Sequence, residues 1–192
     1  MKQSILKILV LSLIFPGLAL AHPGVGEVAG FMHGISHPIG GADHLLAMMA
    51  VGLWVAQIGG RALWAVPCTF VGVMSLGGVL GFFGVSVPFI EEGILVSVLI
   101  LGVLIAGAFR FPPLYSALVV GFFAIFHGHA HGAEMPAKIS AGSFTVGFTL
   151  ATVILHVAGM GLGRLMQKSN LHTVTRLAGG AVALGGIYLA IS

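Results

Sequence analysis

From residue 42 to residue 191 the chain is a succession of apolar stretches separated by short polar or Pro/Gly-rich breaks, at about 42–58, 62–83, 87–109, 114–127, 144–165 and 171–191. Stretches of this length match the hydrocarbon core of a bilayer, which a helix of roughly 20 residues crosses. Helices and closed barrels alone satisfy every backbone polar group in lipid. The pattern therefore predicts an all-α polytopic membrane helix bundle with six transmembrane helices. Composition excludes the soluble alternative: 58% of the 192 residues are hydrophobic and 7% are charged, against about 25% charged in soluble domains. The lipid bilayer is thus a necessary partner, and a single transmembrane domain spanning 22–192 is expected.

Residues 1–21 read differently. Lys2 and Lys7 precede an apolar run over 8–15, followed by Pro16-Gly17 and by Ala19-Leu20-Ala21. This is the plan of a cleaved signal peptide, with cleavage after Ala21 leaving His22 first in the mature chain, where its α-amine and imidazole would both be available to a metal. The segment 24–36 is too short and polar to cross, so a re-entrant or interfacial segment is expected ahead of Pro38. With both termini periplasmic, six spans place Arg61, Arg110, Arg164, Lys168 and Arg176 inside and Lys138 outside. This agrees with the positive-inside rule and suggests a multi-pass protein of a bacterial inner membrane. Glu27, Glu91, Glu92 and Glu134 fall outside. The basic residues never form a run, which argues against a nucleic-acid partner. Cys68 is the one cysteine, in an apolar setting that suggests packing.

Histidine is the exception to this apolar economy, with nine residues against eight Lys and Arg and five Asp and Glu. One cluster enters the first span: His33, then His37-Pro-Ile-Gly-Gly-Ala-Asp43-His44-Leu-Leu-Ala-Met48. Pro38, Gly40 and Gly41 disfavour one continuous helix through His37, so a bend is expected just before Asp43, bringing His37 back toward Asp43 and His44. His44 and Met48 then share a helix face. The second cluster, His127-Gly-His129-Ala-His131-Gly-Ala-Glu134-Met135-Pro136, closes the fourth span. If the helix persists, His127 and His131 lie on one side with Glu134; if it unwinds at Gly128 and Gly132, alternate histidines converge. A carboxylate and imidazoles at such depth cost several kcal/mol unless they pair or bind a cation. Imidazole and carboxylate without thiolate suit nickel, cobalt, zinc or copper(II) rather than magnesium or calcium. The metal set read from these motifs is His37, Asp43, His44, His127, His129, His131 and Glu134, with His22, His33, Met48 and His156 as possible additions. His156, inside the fifth span, reads either as a relay ligand or as a core histidine bonded to a carbonyl.

The two motifs, His37 to Met48 and Phe126 to Pro136, resemble the HupE/UreJ family of hydrogenase and urease accessory proteins, and the similarity extends over essentially the whole chain. The resemblance implies a permease importing nickel, or cobalt, from periplasm to cytoplasm for metalloenzyme maturation. The family's first motif falls on His37, Asp43 and His44, and its second on His127, His129, His131 and Glu134. The divalent ion is cargo, and no permanently bound cofactor is implied. The chain offers no Gly-rich phosphate loop and no space for an ATPase domain, so a gradient or a partner must drive transport. Two rivals remain: an intramembrane metal-dependent hydrolase using Asp43 as base, with Ser36 and Ser140 nearby, and a metal sensor or chaperone that binds without transporting.

Overall fold

The computed structural model describes residues 25–136 and 139–192, and every regular element among them is an α-helix. The expected signal peptide, His22 and Lys138 lie outside the described residues. Seven helices follow one another: α1 Val25–Gly40, α2 Ala42–Ile58, α3 Ala62–Phe82, α4 Ile90–Ala106, α5 Pro113–Ala133, α6 Ala141–Lys168 and α7 His172–Ile191. Of these, α2 to α7 coincide with the six apolar stretches. Four, α3, α5, α6 and α7, are long and apolar enough to cross a membrane, and the bent pair α1 and α2 adds a fifth if taken as one span. The 17 residues of α4 rise about 25 Å, somewhat less than a hydrocarbon core.

Local chemistry explains the breaks. Gly59 and Gly60 take positive φ values of 77° and 55° at the end of α2, a conformation that glycine adopts without strain. Pro113 starts α5 at a position where its missing N–H has no helical partner. Ser140 caps α6, its side chain accepting from the Ser143 N–H at 3.4 Å. The bend expected just before Asp43 is present: α1 and α2 meet at 80° across Gly41, whose backbone is extended. Yet α1 continues through His37 and Pro38 to Gly40, where an interruption was expected. Pro38 forfeits the bond to the Gly34 carbonyl and its ring crowds that turn, a cost of about 3 kcal/mol in a helix interior, and α1 ends two residues later.

The bundle is apolar outside and polar within. Trp64, Phe83, Leu118, Phe122, Leu177 and Leu184 are all more than half exposed, while His127, His131, His156, Ser97 and Thr152 are almost wholly buried. A protein in water would reverse this arrangement; in lipid it is the stable one. Cys68 is exposed on the outer side of α3, correcting the packing role expected for it. An apolar sequence context does not distinguish a lipid-facing side chain from a core one.

Close backbone contacts set the directions. On α2 and α6, Gly52 meets the backbone at His156 and Gly163 meets Ala56 further along both helices, so the two run parallel. On α3 and α5, Gly77 and Gly81 meet Ile125 and His129, while Gly128 and Gly132 meet Met74 and Gly78. A methyl group at any of these four would collide with the facing backbone, so glycines four residues apart on each helix make the contact. α4 and α7 are antiparallel, with Gly186 near Leu99 and Gly179 near Ala106. From α2 to α7 the chain alternates between two ends. One holds Asp43, Glu91 and Glu134, and the other Arg110 and Arg176.

The basic end is held by side chains that satisfy carbonyls at helix ends and in the loop after α4. Gln167 Nε2 donates to the Ala56 carbonyl at 2.6 Å, Arg176 Nε to that of Ala106 at 2.7 Å, and Trp54 Nε1 to that of Phe109 at 2.9 Å. The first two satisfy carbonyls that the last turns of α2 and α4 leave free, and the third a carbonyl in the loop after α4.

Candidate functional site

The opposite end gathers the histidines. α5 remains helical to Ala133, so His127 and His131, four residues apart, project into the bundle together. The glycines at 128 and 132 let α5 lie directly on α3, and His127 and His131, on an adjoining face of α5, are turned inward. His44, on the first turn of α2, stands between them: its ring centroid is 4.8 Å from that of His127 and 4.3 Å from that of His131. His37, on the last turn of α1, reaches His131 at 4.7 Å, and His33 lies 5.6 Å beyond it. The 80° bend is what brings His37 and His44, from two helices, to the same imidazole.

Three of these rings are oriented by acceptors. Asp43 Oδ1 accepts from the His44 backbone N–H at 2.7 Å and from His44 Nδ1 at 2.9 Å. His37 Nε2 donates to Glu134 Oε2 at 3.0 Å. His127 Nε2 lies 2.9 Å from Ser97 Oγ on α4. The other nitrogens are left over: His44 Nε2, His127 Nδ1 and both nitrogens of His131 are buried with no hydrogen-bond partner among the described residues. A buried polar group without a partner costs about 1–3 kcal/mol. Several such lone pairs in one place form a soft-to-borderline donor set that suits a transition-metal ion.

The donors are not drawn into a closed cage. Among the described residues no three His, Cys, Asp or Glu side chains are arranged to hold a metal ion in common. The carboxylates bind imidazoles instead, Asp43 to His44 and Glu134 to His37. Above them opens a cavity of about 460 Å³ lined by His33, Ser36, His37, Asp43, His44, Glu91 and Glu134. Four of its acids and histidines come from α1 and α2, Glu91 from α4 and Glu134 from the end of α5. The family model described as HupE / UreJ protein matches residues 9–189. The chain belongs to the HupE/UreJ family. Protein HupE of Rhizobium leguminosarum bv. viciae is 45% identical over 191 residues, covering 100% of both chains. No solved structure matches. This HupE/UreJ chain is thus a multi-pass membrane protein whose two histidine motifs meet in space.

Not every expected residue joins the cluster. His129 points away from it, its Nε2 donating to the Val85 carbonyl at 2.7 Å beyond the end of α3. Met48 is fully buried on the same face as His44. His156 on α6 is buried with neither nitrogen hydrogen-bonded among the described residues, which disfavours the carbonyl-bonded alternative. It packs edge-on to Phe70 at 5.1 Å, and Phe70 in turn lies 5.7 Å from His127, so one aromatic ring separates His156 from the main cluster. Two residues escaped sequence reasoning. Glu91 was placed on the outer side but not in the ligand set, and it lines the cavity. Ser97 carries the one hydroxyl between Gly93 and Ala106, a polar atom in an otherwise apolar helix; that isolation is the signal by which it can be found.

Proposed function

We propose that this HupE/UreJ protein is an inner-membrane permease that imports nickel, with cobalt as a second cargo, from periplasm to cytoplasm for metalloenzyme maturation. The observation that carries the reading is the meeting of His37, His44, His127 and His131 beneath a cavity bearing Asp43, Glu91 and Glu134. The histidine end faces the periplasm and the Arg110 and Arg176 end the cytoplasm, with α2 to α7 as six crossings, in keeping with the positive-inside rule. Carboxylates attract the hydrated cation to the cavity. Imidazoles replace its waters one or two at a time. A donor set without a closed cage favours release as well as capture, which conduction requires. His33, Met48 and His156 lie along the outer approach and inner flank as further contacts, and His129 helps to fix the end of α3.

The membrane potential can supply the driving force. At 100 mV, negative inside, entry of a divalent ion is favoured by about 4.6 kcal/mol, or over a thousandfold in concentration. No permanently bound cofactor is needed for this cycle.

The enzymatic rival is disfavoured by how the hydroxyls and the carboxylate are used. Ser36 Oγ donates to the His33 carbonyl at 3.2 Å, and Ser140 Oγ caps α6. Asp43 Oδ1 accepts two bonds from His44, so this oxygen orients an imidazole instead of activating water. Purified protein in liposomes loaded with a metal-sensitive dye separates transport from binding or hydrolysis. Wild type should admit nickel, and Asp43→Ala should slow entry by about tenfold or more through loss of His44 orientation. Equal rates for the two proteins would refute the site assignment; absence of entry with wild type would refute the permease reading.

A further inference from the structure

Ser97 is fully buried in the interior of α4, and its Oγ has two neighbours: the Ile94 carbonyl oxygen at 2.6 Å and His127 Nε2 at 2.9 Å. A hydroxyl carries one proton. Two oxygens 2.6 Å apart are held together by a proton between them, since without one the contact is lone pair against lone pair. The Ser97 proton therefore lies on the Ile94 carbonyl, as is common for a serine bonding back along its own helix. What Ser97 offers to His127 is a lone pair, so His127 Nε2 must bring the proton. A neutral imidazole has only one. Nδ1 is consequently bare, and it is the nitrogen of His127 that is buried with no hydrogen-bond partner among the described residues.

We propose that Ser97 is a positioning residue that holds His127 in the Nε2–H tautomer and so presents Nδ1 as a ligand to the passing metal ion. The inference rests on the permease reading for its purpose, though the tautomer itself follows from donor accounting. It also explains a difference among the rings. His37 and His44 are backed by Glu134 and Asp43, and a carboxylate fixes the ring it holds and places negative charge behind it, which strengthens its hold on a cation. His127 lies one helical turn, about 6 Å, deeper along α5 than His131. There a third carboxylate would be costly to desolvate, and a hydroxyl orients the ring without adding charge. An ion moving inward thus passes from carboxylate-backed imidazoles to one backed by a neutral group, which binds it less tightly.

The same geometry argues against a serine nucleophile at this pair, because the hydroxyl proton points to a carbonyl and the imidazole acts as donor rather than base.

The test uses full-length protein labelled with ¹⁵N-histidine in lipid, with the His127 signals identified by their loss in His127→Gln. Wild type should show the Nε2–H tautomer, Ser97→Ala should lose that preference, and Ser97→Thr, which keeps the hydroxyl, should restore it. In the liposome assay Ser97→Ala should raise the half-saturating nickel concentration by about 10–100-fold, with Ser97→Thr returning toward wild type. An Nδ1–H tautomer in wild type overturns the proposal, as does a folded Ser97→Ala protein with unchanged tautomer and half-saturation. Loss of uptake in both variants with the Nε2–H form intact would assign Ser97 a packing role and equally overturn it. Failure of the permease reading is distinct: wild type would then admit no nickel, while the ¹⁵N spectrum would still decide the tautomer.

Discussion

At the scale of single residues, the site separates histidines that share a motif. His129 and His131 are two positions apart, yet one bonds the Val85 carbonyl at the rim and the other is buried between His37 and His44. Helical periodicity explains this, since residues two apart face opposite sides. His131→Ala should lower nickel entry into liposomes by about tenfold or more, whereas His129→Ala should leave it within about twofold. Equal losses would show that the motif acts as a flexible chelating loop instead of a helix face. The two clusters were legible in the sequence because histidine and carboxylate are conspicuous in an apolar chain. The hydroxyl that orients His127 was not singled out, because a serine in a span is ordinary until a partner 30 residues away is known.

The elements owe their placement to glycine-lined contacts. α5 lies on α3 with Gly128 and Gly132 against the Met74 and Gly78 carbonyls, while Gly72 on α3 has nothing within 4 Å of where a Cβ would stand. Gly128→Leu should therefore force the two helices apart, costing about 1–3 kcal/mol or more and displacing His127 with His131. Gly72→Ala should be neutral or slightly stabilising, by at most about 1 kcal/mol. Thermal unfolding in detergent, followed by loss of monodispersity, would measure both. Similar melting temperatures for the two variants would contradict the α3 and α5 contact. Helix boundaries were legible from hydropathy to within about six residues, the largest difference being the end of α5 at Ala133 where the apolar stretch stops at His127. The continuation of α1 through Pro38 was not, because proline's local penalty argues against it while the close packing of α1 on α6 acts over distant residues.

For the molecule as a whole, the alternating helices and the segregation of acids from arginines predict its sidedness. In a Cys68→Ala background, Glu92→Cys at the start of α4 should react with a membrane-impermeant maleimide from the periplasm, and Asn170→Cys between α6 and α7 should react only after the membrane is opened. Labelling of both from one side would refute the proposed topology. The removal of Cys68 should itself be well tolerated, since its side chain lies on the exposed surface of α3.

Composition and hydropathy alone determined that this chain is helical and membrane-embedded, and that its histidines and acids concentrate in two motifs, because solvent preference and helical period act over neighbouring residues. Only the tertiary structure decided which nitrogens are free. His37 finds Glu134 across 97 residues and His127 finds Ser97 across 30; these pairings depend on how closely the glycine faces let the helices approach and on the 80° turn at Gly41. A ligand's identity is written locally, but its tautomer and its neighbours are consequences of packing.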